Sequence, residues 1–159
     1  LKPVPGVKTV NIVTAKEMFE AVKAALPETD ILVKAAAVAD YRPASVAQDK
    51  MKKEDGDLSI PLERTDDILG WVSENRHPGL FVCGFSMETQ DMVENSREKL
   101  VKKNVDMICA NNLKQSGAGF GVDTNVITII TRNETTELPL QTKEGAANAI
   151  LDAALRLTP

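Results

Sequence analysis

The sequence holds one histidine and two cysteines. His77 precedes Pro78, a pairing that reads as loop, and Cys83 and Cys109 sit apart in apolar runs without a CxxC partner. One histidine and two separated cysteines cannot build a zinc site by themselves, so both cysteines are expected to be buried free thiols. No apolar run approaches the roughly 20 residues that a membrane span requires. Basic residues are not in excess: 19 Lys and Arg stand against 23 Asp and Glu, a net charge of −4. That balance argues against non-specific nucleic-acid binding, which needs a basic face. Leu1 to Val7 lacks the charged-then-apolar pattern of a signal peptide, so a cytoplasmic location is expected. Phosphate-binding and nucleophile signatures are missing too, with neither a GxxxxGK[ST] loop nor a GxSxG elbow. No GxGxxG follows the first expected strand, and Gly117-Ala118-Gly119-Phe120-Gly121 comes late, ahead of a hairpin pattern. A dinucleotide dehydrogenase is thereby disfavoured.

What is present is a chain of 159 residues, 43% hydrophobic and 26% charged, enough for one domain over residues 1–159 with a real core. Val7 to Val13 alternates and predicts a strand. Thr14 and Glu17 match a capping box, and Met18, Val22, Ala25 and Leu26 then share one helical face until Pro27 ends it. Asp30 to Lys34 predicts a short buried strand. Residues 41–56 show no period and read as an exposed loop, and Leu58 to Leu62 predicts a strand that Pro61 confines to an edge. Thr65-Asp66-Asp67 opens a helix with an acidic first turn, whose apolar side is Ile68, Leu69 and Val72. Leu80 to Phe85 predicts a buried strand, Thr89 the cap of a helix ending near Lys103, and Val105 to Ala110 the next strand. Val126 to Ile130 and Thr135 to Leu140 form the arms of a hairpin around Arg132-Asn133-Glu134. Thr142 caps a last helix with Ala146, Ala149, Ile150, Ala153 and Ala154 inward. Short apolar strands alternating with amphipathic helices give an α/β class: a Rossmann-like three-layer fold with a mainly parallel sheet and a C-terminal antiparallel hairpin.

Three constellations can carry chemistry. Ala35-Ala36-Ala37-Val38-Ala39-Asp40-Tyr41-Arg42-Pro43 runs from a strand into small residues and a carboxylate. Small side chains at a strand's carboxyl end let a ligand approach the backbone, where open α/β folds place their ligands. Asp40 is either a turn cap or an acceptor for a base or ribose. Lys50, Lys52 and Lys53 are either a solvated charge run or a mobile lid that brings ammonium groups onto a phosphate. Lys99 and Lys103, four apart on one helix, either complement the helix dipole or clamp a phosphate. Asn111 and Asn112 close a strand, as turn formers or as ligand contacts.

Together with Gly84-Phe85-Ser86-Met87-Glu88-Thr89 and Lys99-Leu100-Val101-Lys102-Lys103-Asn104-Val105-Asp106-Met107-Ile108-Cys109-Ala110-Asn111, the alanine turn and the Lys50-Met51-Lys52-Lys53 loop resemble the bacterial phosphopantothenate–cysteine ligase family over nearly the whole chain. The resemblance implies CTP-dependent joining of 4′-phosphopantothenate to cysteine through an acyl-cytidylate, with Mg2+ accompanying the nucleotide. It implies that Lys34, Ala35, Ala36 and Asp40 hold the nucleotide and that Lys50 stabilises the reacting phosphate. Asp66, Asp67, Ile68 and Leu69 would line the nucleotide site through backbone groups, Phe85 would pack near the base, and Lys99 and Lys103 would clamp the triphosphate. It also implies a homodimer, for which the Val126 to Leu140 hairpin is a candidate interface, and a flavin-dependent decarboxylase domain in the full-length protein. No flavin, resident metal, nucleic acid or membrane is expected for this chain. Departures are Asp66 where the family usually has Pro, Met87 where Ala is common, and the absence of the family's opening strand, Gly-rich loop, helix and strand.

Overall fold

Thr14 and Glu17 start the first helix as their spacing predicts. The Glu17 N–H donates to Thr14 Oγ1 at 3.1 Å, and Glu17 Oε2 accepts from the N–H groups of Val13 at 2.6 Å and Thr14 at 3.2 Å. Those two backbone donors hold the Glu17 carboxyl below the usual carboxylate range. The computed structural model describes residues 4–52, 59–88, 90–112, 118 and 121–158. Its contacts divide into two compact units, Leu1–Ala25 with Ala37–Ile68, and Leu26–Ala36 with Leu69–Pro159.

The first unit contains α1 (Ala15–Ala25) and a two-stranded antiparallel ribbon, β2 (Tyr41–Pro43) on β3 (Leu62–Arg64), with Tyr41 opposite Arg64. Three expectations are corrected here. Val7–Val13 forms no strand, because no described segment lies alongside to complete a ladder. Tyr41–Pro43, expected as loop, is a strand held by Arg42–Glu63 (2.7 Å) and by Arg64 stacked over the Tyr41 ring. The strand expected at 58–62 begins instead at Leu62, just after Pro61, which has no N–H to offer.

The second unit is built on a five-stranded sheet of order β1-β4-β5-β7-β8. Its strands are β1 (Ile31–Lys34), β4 (Phe81–Glu88), β5 (Met107–Asn112), β7 (Ile127–Thr131) and β8 (Thr135–Glu137). β1, β4 and β5 are parallel, while β7 and β8 run antiparallel and form the expected hairpin. β1 is half-buried rather than buried because it is an edge strand. A second ribbon, β6 (Thr124–Asn125) with β9 (Gln141–Thr142), had no legible pattern.

Alternation along the strands makes three layers. One face carries Phe81, Cys83, Met107, Cys109, Ile127 and Ile129 against Ala146, Ile150, Ala153 and Ala154 of α4 (Lys143–Leu157), which Thr142 caps by accepting from the Gly145 N–H at 3.0 Å. The other face carries Val82, Gly84, Ile108 and Ile130 beneath α2 (Ile68–Asn75) and α3 (Met92–Lys102). A Cβ at Gly84 would meet Ile108 Cδ1 at 3.0 Å and Leu69 Cδ2 at 3.2 Å, so the helix sits close on the strand there. The N-cap of α3 is Asp91, in the left-handed region (φ 46°) and without a side-chain cap; Thr89, expected in that role, lies outside the described residues.

Both cysteines are buried free thiols, as expected, with Sγ atoms 3.6 Å apart across β4 and β5. The hydrogen-bonding contact with the Cys83 sulfur, and then burial, push the Cys109 thiol far above its ordinary value. The strands start from a polar clamp. Asp106 Oδ2 accepts from the Val82 N–H at 2.8 Å and from Arg76 Nη2 at 2.7 Å, while Arg76 also donates to the Leu80 carbonyl. Beneath α3, Ser86 Oγ and Ser96 Oγ pair at 2.7 Å, but the buried Thr128 Oγ1 has no partner among the described residues.

Two substitutions with opposite outcomes follow. Asp106→Ala strands a guanidinium and a strand N–H, and should lower unfolding free energy by about 2 kcal/mol or more in urea titration. Thr128→Val removes an unsatisfied hydroxyl at near-constant volume and should raise it by about 1 kcal/mol.

Candidate functional site

Parallel strands deliver their carboxyl ends to one side of a sheet, and the second unit gathers polar groups there. Lys34 is the last residue of β1, and its Nζ donates to the Ala36 carbonyl at 3.2 Å, folding the half-buried side chain over the exposed Ala35–Ala36 turn. Gly84 of β4 lies directly beside Lys34 in register. Next on β4 comes half-buried Phe85, whose ring packs on the α4-side core while its carbonyl accepts from Lys99 Nζ at 2.8 Å. Phe85 and Lys99, 14 residues apart, are thus brought together. α3 runs back against the strand direction, so Lys103 lies one turn further from the carboxyl ends than Lys99, at the helix C-terminus. From there the chain turns to Asp106, whose N–H bonds the Val82 carbonyl near the start of β4.

Sequence reasoning missed Asn95. Its Nδ2 reaches Glu88 Oε2 at 3.4 Å and the Gln90 carbonyl at 3.1 Å, fastening the turn between β4 and α3. It also missed the Ser86–Ser96 pair, for which no local pattern exists; only the register of α3 on β4 creates it.

The first unit brings a second group together. The Thr65 N–H donates to the Asp40 carbonyl at 3.0 Å, and Thr65 Oγ1 donates to the Ala39 carbonyl. Asp40, at one end of the β2–β3 ribbon, therefore lies beside Thr65 and the exposed Asp66 and Asp67 that lead into Ile68 and Leu69 of α2. Lys50 and Lys52 are exposed in the segment joining β2 to β3, and Lys53 lies outside the described residues. Among the described residues no group of three or more His, Cys, Asp or Glu could hold a metal ion, and no helix is long and apolar enough to cross a membrane. At the strand ends of the second unit, small-residue backbone stands with Lys34 and Lys99, groups able to approach and neutralise an anion.

The family model described as the DNA/pantothenate metabolism flavoprotein C-terminal domain matches residues 1–157. The chain is 41% identical over 150 residues to the coenzyme A biosynthesis bifunctional protein CoaBC of Bacillus subtilis, covering 94% of this chain and 37% of that protein. It therefore spans little more than a third of that curated relative's length. The crystal structure of the C-terminal domain of a CoaBC protein superposes with a TM-score of 0.79 at 35% identity, covering 99% of this chain and 69% of that one. A Cab2 mutant complexed with phosphopantothenate-cysteine shares the fold, with a TM-score of 0.69 at 16% identity over 92% of this chain and 52% of its own.

The Thr65 hydroxyl is what holds the Asp40 turn beyond the backbone ladder. Thr65→Val should lower stability by about 1 kcal/mol and speed amide hydrogen exchange at residues 38–41, with exchange in β4 and β5 unchanged.

Proposed function

The chain belongs to the DNA/pantothenate metabolism flavoprotein C-terminal domain family, and from that membership we propose that it joins 4′-phosphopantothenate to cysteine in coenzyme A biosynthesis, driven by CTP. The observation that carries the reading is the carboxyl end of β4, where Lys99 closes on the Phe85 carbonyl beside the Lys34–Ala36 turn. Loss of backbone bulk, an aromatic ring and two lysines coincide there.

A carboxylate oxygen of phosphopantothenate attacks the α-phosphorus of CTP, and the bond to the β-phosphate oxygen breaks to release pyrophosphate. The cysteine amine then attacks the acyl carbon of the cytidylate, CMP departs with the acyl–oxygen electron pair, and the surplus amine proton passes to solvent. Neither step requires a protein nucleophile; each requires alignment and neutralised charge. In this reading Lys34, Ala35, Ala36 and Asp40 hold the nucleotide, and Phe85 packs by its base. Asp66, Asp67, Ile68 and Leu69 line it with backbone groups. Lys99 and Lys103 neutralise the triphosphate, and Lys50 meets the charge that develops on the α-phosphate. An Mg2+ ion would accompany the nucleotide, carried mostly by the triphosphate and water. That ion would screen the phosphates and aid the departing pyrophosphate.

The partner in the full-length protein is a flavin-dependent decarboxylase domain, and the assembly is a homodimer. The β7–β8 hairpin is proposed as its interface, since β8 is the sheet's outer strand and pairs with β7 alone among the described strands.

Pyrophosphate release with 4′-phosphopantothenate, CTP and Mg2+ tests the chemistry. Release should depend on phosphopantothenate, exceed that with ATP, and fall by roughly a hundredfold in Lys50→Ala, the loss expected for one transition-state charge contact. CTP binding without release would leave the chain a nucleotide-binding piece of the enzyme. Equal release by Lys50→Ala would remove Lys50 from the mechanism.

A further inference from the structure

Asn111 and Asn125 form a two-amide relay whose direction is fixed by the backbone. The Val126 N–H donates to Asn125 Oδ1 at 3.0 Å. A backbone N–H can only donate, so it settles which end of the Asn125 amide is oxygen. Asn125 Nδ2 is then turned to Asn111, and donates to Asn111 Oδ1 at 2.9 Å. With that oxygen taken, the Asn111 amide presents its Nδ2 hydrogens elsewhere, and no described residue accepts them. Asn111 is half-buried in the last turn of the β5 pleat, opposite Met87 on β4 and on the same face as Phe85. It belongs to the row of residues at the carboxyl ends of the parallel strands, where the ligand of an open α/β sheet is bound.

We propose that Asn111 is a ligand-contacting specificity residue that donates its amide N–H to an acceptor oxygen of a bound substrate, and that Asn125 is the positioning residue that keeps the donor, not the acceptor, facing that substrate. This rests on the ligase reading above. Both proposed substrates supply the chemistry: CTP through its base carbonyl, ribose and phosphates, and phosphopantothenate through its carboxylate and amide. A donor at this place favours either over a ligand presenting an N–H or an ammonium group. Met87, standing where Ala is common in the family that the chain resembles, is the register neighbour of Asn111 on β4.

Two nearly isosteric variants separate this role from a structural one. In Asn111→Asp, one carboxylate oxygen still accepts from Asn125, while the other replaces the donor and faces the substrate's oxygen. In Asn125→Asp, the Val126 N–H is still accepted, but the second carboxylate oxygen turns the Asn111 amide around to donate inward, so an unchanged Asn111 now shows its oxygen to the substrate. Both variants keep the internal hydrogen bonds, so their melting temperatures should match wild type. Titration calorimetry with CTP and, separately, with 4′-phosphopantothenate should show at least one of the two bound about tenfold or more weakly by both variants, the loss of one hydrogen bond to a charged or polar acceptor plus the new repulsion. The substrate affected identifies the source of the acceptor. Unaltered affinity for both substrates in both variants overturns the proposal. If Lys50→Ala lowers pyrophosphate release while both asparagine variants bind CTP and phosphopantothenate as wild type does, the ligase reading stands and this inference alone fails; a wild-type chain that binds neither substrate overturns both.

Discussion

The carboxylate of Asp106 sets the register on which everything at the other end of the sheet depends. It takes the Val82 N–H and the Arg76 guanidinium, while the Asp106 N–H returns to the Val82 carbonyl. Three elements, the end of α2 and the starts of β4 and β5, are thereby tied at one point. A strand's side chains alternate between faces, so a slip of one residue would send Phe85 and Cys109 from the α4 face to the α3 face. Since Cys83 pairs with Met107 and Met87 with Asn111, the clamp at the amino ends also decides which residues stand together at the carboxyl ends. The polar lock sits where the sheet begins, at the opposite end of the strands from the candidate site.

The two faces of the sheet solve different problems. The α4 face is largely apolar, filled by Phe81, Phe85, Met107, aliphatic side chains and two thiols that are apolar in practice. The α3 face is uneven: Gly84 admits Leu69 closely, Ser86 and Ser96 satisfy each other, and Thr128 is left without a partner among the described residues. A paired hydroxyl under a helix fixes the helix's position along the strand, because sliding would leave both oxygens unsatisfied in an apolar setting. That position is what carries Lys99 to the Phe85 carbonyl.

Much of this was legible in the residues. Thr14 and Glu17, Thr142 with its inward alanines, the β7–β8 hairpin and the buried cysteine strands follow from local chemistry that the fold does not override. Val7–Val13 failed because alternation states only that a segment suits a ladder, and a ladder needs a neighbour. Tyr41–Pro43 was hidden for the converse reason: three exposed residues ending in Pro have little strand character of their own, and their pairing with Leu62–Arg64 supplies it. At the candidate site, types and order of residues were readable from the strand ends, whereas contacts such as Lys99 with Phe85, Thr65 with Ala39, and Asn111 with Asn125 join residues 14 to 26 apart and arise only from folding. Resemblance supplied roles that spacing alone could not.

The burial of both cysteines has a consequence for a protein whose proposed substrate is itself a thiol. Free cysteine travels with its oxidised dimer, and any accessible thiolate exchanges with that disulfide to leave a mixed disulfide on the protein. Cys83 and Cys109 are the chain's only sulfhydryls, both fully buried and one driven far from its thiolate form. Buried in this way, neither sulfur is exposed to the redox couple of the proposed substrate, so a chain acting in that role would meet cysteine through its amine without being trapped through its sulfur.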